Sequence, residues 1–174
     1  MFEIGEFVIY GFNGICRVHD ITHVDMAGSS KDALYYLLMP ISNSECKVYI
    51  PVDNDKITVR KVLTDKEAWE LIDEIPDIDE MWVQNDKQRE GIYKTALKTC
   101  DCRELVKIIK TSYTRKQERL KQGKKATATD DKYLKQAKDN LYSELAFVLG
   151  KEKSEMEEII IEHIRVKDKD TILQ

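Results

Sequence analysis

Basic side chains in the second half of the chain are the clearest candidates for chemistry in this sequence. Nine lysine and arginine residues occur from Arg103 to Lys125, against only Glu104 and Glu118. Residues 82–140 carry 16 Lys and Arg against 8 Asp and Glu, although the whole chain has a net charge of −4. Because such a local excess of cations attracts phosphate groups, it predicts a surface for a polyanion such as DNA. The candidate DNA-binding residues are Lys87, Arg89, Lys94, Lys107, Lys110, Lys116, Lys124, Lys125 and Lys132.

Trp82 is the aromatic residue that could act together with these cations. It follows an acidic segment that contains Pro76 and precedes a helical pattern that begins near Asp86. An aromatic wedge on a basic surface can enter a minor groove and separate base steps, which favours DNA that is already distorted. Tryptophans at helix edges also serve as lids over an apolar core. Both interpretations are open from the sequence, and we expect the wedge.

Catalytic and metal-binding patterns are missing from the sequence. The four cysteines form no CxxC pair, and the histidines, His19, His23 and His163, are far apart in the chain. No glycine-rich phosphate loop, nucleophile elbow or HExxH motif occurs. We therefore expect no enzyme activity, no metal site and no cofactor, and we expect the cysteines to be reduced packing residues.

Short strands are predicted in the first sixty residues. Asn13-Gly14 between apolar, β-branched runs predicts a hairpin over 4–18. Further strands are predicted at 17–25, 33–39 and 46–50, with a polar reversing loop at 25–32. Because so few strands bury little apolar area unless the sheet curls, we expect a small SH3-like barrel, which is typical of a protein-docking module.

Helices are predicted after this β module. Helix-start patterns occur at Thr64, Asp101 and Ser154, each with a glutamate three residues later. The predicted helices cover about 65–74, 86–99, 102–121, 130–149 and 155–165. Their apolar stripes include Ile92, Ala96 and Leu97, then Leu105 to Tyr113, then Leu134. The expected organisation is thus α+β, with a β domain at 1–58, a bundle of about five helices at 59–165 and a frayed tail at 166–174.

The composition bears on the location of the protein. No apolar run approaches the roughly eighteen residues that cross a bilayer, and the chain begins Met1-Phe2-Glu3, unlike a signal peptide. We expect a cytoplasmic protein that does not bind membranes, and we expect a monomer.

The sequence also resembles a known family, the CarD/CdnL transcription regulators that bind bacterial RNA polymerase. In the β module the resemblance is carried by Gly5, Val8, Tyr10, Gly14 and Val18, then Tyr35-Tyr36 and Val48-Tyr49-Ile50-Pro51. In the helical part it is carried by Asp101, 106–109, Gln117-Glu118-Arg119 and Ser143-Glu144-Leu145-Ala146. The β module is also similar to the polymerase-binding module of the transcription-repair coupling factor, although this chain lacks a helicase.

The resemblance implies both a fold and partners. It implies an SH3/Tudor-like domain that interacts with RNA polymerase, followed by a helical domain that contacts upstream promoter DNA. It therefore also implies that the protein is associated with the nucleoid through RNA polymerase. It further implies that an edge strand contacts the polymerase β subunit, with Tyr49 where family members can carry an arginine. The residues concerned are Lys47, Val48, Tyr49, Ile50 and Pro51.

Two functions remain open at this point. The first is a non-enzymatic transcription regulator that docks on RNA polymerase, holds promoter DNA largely independently of sequence and stabilises the open complex. The alternative is a protein-interaction adaptor whose basic helices bind an acidic partner protein. Salt-dependent binding to duplex DNA would distinguish the two.

Overall fold

The computed structural model describes residues 1–24, 33–83 and 85–172. The chain forms two compact units, Met1–Val62 and Leu63–Gln174. Five strands lie in the described part of the first unit, and five α-helices lie in the described part of the second. This arrangement confirms the α+β class with a small β domain at the N-terminus.

The first unit is an antiparallel sheet. Its strands are β1 (Phe7–Tyr10), β2 (Ile15–His23), β3 (Leu34–Pro40), β4 (Val48–Pro51) and β5 (Val59–Lys61). They pair in the order β4-β3-β2-β1-β5, so β4 and β5 are the edges of the sheet within the described residues. β5 belongs to the β unit, although the sequence analysis placed residues 59–165 in the helical domain. The predicted reversing loop at 25–32 lies outside the described residues.

The predicted hairpin is present, but its connection differs from a two-residue turn. β1 pairs with β2 in the register Phe7 with Arg17 and Ile9 with Ile15. A 3₁₀ turn over Gly11–Asn13 connects them, and the N–H of Tyr10 donates to the carbonyl of Gly14. Gly14 has φ of 67°, a left-handed conformation that favours glycine at this point of the chain.

Alternation along the strands forms the core of the β unit. Successive side chains point to opposite faces of a strand, and the buried set includes Val8, Val18, Leu38 and Ile50. Tyr36 lies among them, and its hydroxyl accepts from the backbone N–H of Phe2 at 2.9 Å. The polar end of this buried tyrosine is therefore satisfied.

The second unit contains α1 (Asp65–Glu74), α2 (Asp86–Lys98), α3 (Cys102–Lys121), α4 (Ala128–Leu149) and α5 (Met156–Ile172). Thr64 and Glu67 form the predicted capping box at the start of α1. Asp101 caps α3 by accepting from the N–H of Arg103. Ser154 instead lies inside a 3₁₀ turn, Lys153–Glu155, and α5 begins after it.

Three helix faces and one helix end differ from the sequence prediction. The bundle buries Tyr93 and Tyr133, whereas their neighbours Ile92 and Leu134 are only partly buried. Adjacent residues lie about 100° apart around a helix. The apolar pattern alone therefore predicted a buried residue one position away from the one that is buried. Tyr113, predicted to face inward, is 54% exposed. α5 continues to Ile172 where a frayed tail was predicted, and Lys167 in this extension pairs with Asp73 of α1 at 3.0 Å.

Glu144 is a buried carboxylate that connects three parts of the bundle. It lies on α4 and is 2% exposed. One carboxylate oxygen accepts the backbone N–H of Leu63 at 3.0 Å, just before α1, and the other accepts the thiol of Cys102 at 3.3 Å, in the first turn of α3. Both partners are donors, so the buried charge is stabilised by hydrogen bonds from the starts of two other helices.

We predict that Glu144→Ala destabilises the helical unit by about 2 to 3 kcal/mol, because it leaves the part-buried Leu63 N–H without its acceptor and removes buried volume. Chemical denaturation measures this change. Glu158→Ala, at an exposed position of α5, is the control and should change the free energy of unfolding by less than about 0.5 kcal/mol. Equal unfolding midpoints for the two variants would contradict a structural role for Glu144.

Candidate functional site

The β4 edge of the sheet presents backbone hydrogen-bonding groups to solvent. The N–H of Val52 donates to the carbonyl of Leu34 at 2.9 Å, and these residues continue the register that pairs Ile50 with Tyr36. In an antiparallel pair, backbone groups point alternately toward and away from the partner strand. Val48 and Ile50 therefore bond to β3, whereas the backbone groups of Tyr49 and Pro51 point away from the sheet.

The side chains of β4 alternate between the two faces of the sheet. Ile50 is 4% exposed and lies in the core, whereas Tyr49 is 36% exposed on the other face. Lys47 is exposed and precedes the strand, which begins at Val48, two residues later than predicted. Pro51 has no N–H to donate on the outer edge of β4. This limits how far a partner strand can extend past this point. The edge can thus accept a short strand through the Tyr49 backbone.

Trp82 is fully available on the helical unit. Its side chain is 79% exposed, so the core-lid interpretation is wrong. The segment before it is fixed to α3: the ammonium of Lys110 donates to the carbonyl of Ile78 at 2.6 Å, and the N–H of Met81 donates to the hydroxyl of Thr111 at 2.8 Å. The tryptophan therefore projects from an anchored segment.

Most of the predicted basic residues on the helix faces have acidic partners. Lys94 pairs with Glu90 at 3.1 Å, Lys107 with Glu104 at 2.7 Å, and Lys116 with Asp131 at 3.1 Å. The carboxylates raise the pKa of Lys94 and of Lys107 through their hydrogen bonds. The ammonium of Lys110 is bound to backbone carbonyls at positions 76 and 78. These lysines, which the sequence predicted as part of a surface for a polyanion, are therefore already bound to partners within the described residues.

Arg89 is inside the protein and is not part of a basic surface. It is 5% exposed, and its Nε lies 3.1 Å from an oxygen of Asp130, which is 1% exposed. Arg115 approaches the same oxygen at 3.7 Å. A terminal nitrogen of Arg89 also lies 3.4 Å from the hydroxyl of Thr127, the N-cap of α4. The buried carboxylate of Asp130 thus binds two arginines that, from the charge pattern of the sequence, were expected at the surface.

Tyr93 adjoins this buried ion cluster. Burial raises the pKa of its hydroxyl, and the Ser112 side chain, Arg89 and Arg115 oppose that increase. Its ring also contacts the ring of Tyr133, with centroids 5.3 Å apart. The cluster therefore joins α2, α3 and α4 where α2 and α4 begin and where α3 approaches its C-terminus.

Four of the predicted DNA-binding lysines remain accessible at this end of the bundle, and we call them the basic end: Lys87, Lys124, Lys125 and Lys132. Arg89 bonded to Thr127 brings the first turn of α2 to the loop that carries two of these lysines. Within the described residues, none of the four has a carboxylate at ion-pair distance, and the ammonium of Lys132 lies 5.2 Å from the ring centre of Tyr133. Arg119, absent from the prediction, holds the same loop by donating to the carbonyl of Lys125 at 2.8 Å.

Metal binding and membrane crossing find no support in the described parts of the chain. No group of three or more His, Cys, Asp or Glu side chains is placed to hold a metal ion there. Among the described helices, none combines the length and apolar character needed to cross a membrane.

No pattern in the sequence indicated the role of Asp130. The pair Asp130-Asp131 after a threonine cap indicated a helix start, but nothing in it indicated a buried ion cluster.

Comparison with known proteins supports the two-part organisation. Residues 2–63 match the family model described as the CarD-like/TRCF RID domain, and residues 71–161 match the CarD, C-terminal domain. No match was found among curated proteins. The domains are consistent with transcription regulation by a protein that interacts with RNA polymerase. With the second model alone covering more than half of its residues, the chain belongs to the CarD/CdnL family.

Proposed function

We propose that this protein is a non-enzymatic transcription regulator that binds the β subunit of RNA polymerase through the β4 edge and promoter DNA through the basic end and Trp82. Its effect is to stabilise the open promoter complex. The observation that carries the DNA part of the proposal is Trp82, 79% exposed on a segment that α3 holds in place.

The polymerase contact rests on strand addition. An unpaired sheet edge gives a partner strand main-chain hydrogen bonds, and alternate side chains give specificity. On β4 the Tyr49 backbone faces outward and its side chain is accessible, whereas Ile50 is committed to the core. Lys47, also exposed, places a cation beside the edge. These features support β4 as the strand that a strand of the β subunit joins.

The DNA contact rests on two different interactions. Accessible lysines attract phosphates without regard to sequence and release counterions from the duplex. An exposed aromatic ring adds a contact that forms only where base steps have been separated. Because α3 already holds the segment before the ring, little backbone entropy is lost when the ring contacts DNA. Open promoter DNA would therefore be favoured over closed duplex.

The two contacts strengthen each other because they belong to one chain. A weak, sequence-independent DNA contact becomes intramolecular once the β domain is docked, which raises the effective concentration of DNA around the basic end. We therefore expect a monomer to suffice.

The polymerase contact predicts a difference between two changes at one residue. Tyr49→Pro removes the outward N–H and should lower the affinity for a purified β-subunit fragment at least tenfold, whereas the bonds between β3 and β4 remain. Tyr49→Ala keeps that N–H and should bind more tightly than the proline variant. Biolayer interferometry measures both affinities, and melting curves confirm that both variants fold. Equal affinities of the proline variant and the parent would exclude β4 as the docking strand.

The DNA contact predicts that accessible and paired lysines differ. The triple change Lys87→Gln, Lys124→Gln and Lys125→Gln should lower duplex affinity, because fewer phosphates are neutralised. It should also reduce the salt slope by up to about 0.9 for each phosphate that the variant no longer neutralises.

The matched control removes the same charge from paired positions: Lys94→Gln, Lys107→Gln and Lys116→Gln. Fluorescence titration over a range of salt concentrations should show a smaller effect for this control. A larger effect of the control would move the interface to the α3 face, and salt-independent binding of both would favour the adaptor function.

Trp82 predicts a kinetic effect without a stability effect. Trp82→Ala should leave the melting temperature nearly unchanged, because the ring is exposed. A contact worth about 1 to 2 kcal/mol would shorten the lifetime of open complexes roughly 5- to 30-fold. Trp69→Ala is the control: this ring is partly buried and packs against the ring of His163 at 4.9 Å, so the change should lower the melting temperature. Normal lifetimes with Trp82→Ala would refute the wedge.

A further inference from the structure

A groove along α2 is not used by either proposed contact. It is bordered on one side by Met81 and has a volume of ≈ 590 Å³. The part of its lining on α2 consists of Gln88, Gly91, Ile92, Thr95, Ala96 and Thr99. A second depression shares Met81, Ile92 and Glu104 with it and extends past Ile78 to Trp82. Ile92, which the sequence placed in the core, is thus a partly exposed apolar residue between the two depressions.

Gly91 keeps the first depression open. It is exposed in the middle of α2, and a Cβ atom built on it would meet no atom within 4 Å. Glycine is less favourable than most residues in a helix interior, so local helix stability does not explain it. A missing side chain at this position leaves space for an apolar side chain from outside.

The second depression carries most of the acidic side chains, whereas Glu104 is the one carboxylate among the described residues that also lines the first. Four carboxylates line the second depression, and we call them the acidic rim: Asp79, Glu80, Asp101 and Glu104. Lys107 pairs with Glu104 of this rim at 2.7 Å, and Arg103 pairs with Glu74 outside it at 2.7 Å. Asp79, Glu80 and Asp101 therefore keep the rim negative. The negative field also raises the pKa of Lys107, mainly through Glu104, with Asp101 and Asp79 adding to the effect.

We propose that this groove binds a basic amphipathic helix of a partner protein. Apolar side chains of that helix pack against Ile92 and Met81 and enter the space above Gly91, and its lysine or arginine side chains face the acidic rim. An apolar face laid in a groove is a common mode of helix recognition, and complementary charge fixes orientation and partner choice. The same carboxylates disfavour a phosphate backbone inside the groove, so its occupant is a protein segment. Trp82 is the residue that the second depression shares with the proposed DNA contact.

The groove shares Trp82 with the proposed DNA contact but no residue with the polymerase edge or the basic end. Its test uses a peptide and no DNA, so it can succeed where the test of the proposed function fails. The probe is a synthetic helical peptide with leucines on one face and lysines on the other, titrated into the full-length protein by calorimetry. We expect saturable binding that weakens as salt is added. The same peptide with glutamate in place of lysine should not bind.

Two substitutions at one residue test the groove itself. Gly91→Arg fills the space with a cationic side chain and should weaken peptide binding at least tenfold. Gly91→Ala adds only a methyl group to this space and should weaken peptide binding less than twofold. Both variants should melt no lower than the parent, because glycine is the less favourable residue in a helix and the added atoms meet open space. Unchanged affinity of the arginine variant would overturn the proposal.

A charge control separates the acidic rim from the overall negative charge of the protein. Asp79→Lys with Glu80→Lys should weaken binding at least tenfold, and Glu155→Lys with Glu158→Lys, the same change of charge on exposed residues near and at the start of α5, should weaken it less than twofold. Equal effects would show that the peptide binds by net charge alone, which would overturn the proposal.

Sedimentation velocity tests whether a second copy of the chain occupies the groove. Self-association that Gly91→Arg abolishes would assign the groove to that second copy and overturn the proposal.

Discussion

The buried carboxylate of Asp130 is the interaction on which the arrangement of the helical unit depends. It binds Arg89 at 3.1 Å and lies 3.7 Å from Arg115, so one acidic residue of α4 connects α2 and α3. Burying charges is costly, and an ion pair of this kind adds less stability than an apolar contact of similar volume. What it adds here is a defined position: the first turn of α2 is held against the N-cap of α4.

This position determines which cations are available to a ligand. The buried cluster takes Arg89 away from the surface and binds Arg115, whose side chain keeps 25% of its area exposed. Carboxylates of the same or a neighbouring helix bind Lys94, Lys107 and Lys116. In the described part of the chain, the loop between α3 and α4 carries lysines without such partners. This loop lies between Arg115 and Asp130 of the same cluster in the sequence. A polyanion would therefore meet concentrated positive charge at one end of the bundle and an acidic rim beside Trp82.

The two units contribute different kinds of contact. The β unit offers backbone groups of β4 that a partner strand could join, and the helical unit offers charge and the exposed ring of Trp82. Neither kind is strong alone in water, because exposed ion pairs and single aromatic contacts contribute about 1 kcal/mol each. A regulator that joins weak contacts in one chain depends on both partners being present at the same promoter.

The sequence by itself determined the class of the fold, the helix starts at Thr64 and Asp101 and the hairpin around Gly14, because these follow from local periodicity, capping and turn chemistry. It also indicated the family, which the matches to both domains confirmed. Tertiary structure alone decided which side chains are exposed. Arg89 and Lys107 have the same charge, and both lie in helices that the sequence predicts. Arg89 is nevertheless buried against Asp130, whereas Lys107 is paired with Glu104 at the surface. Trp82 was ambiguous for the same reason: exposure depends on how Lys110 and Thr111 of α3 hold a segment some thirty residues earlier in the chain, and no local pattern encodes that contact.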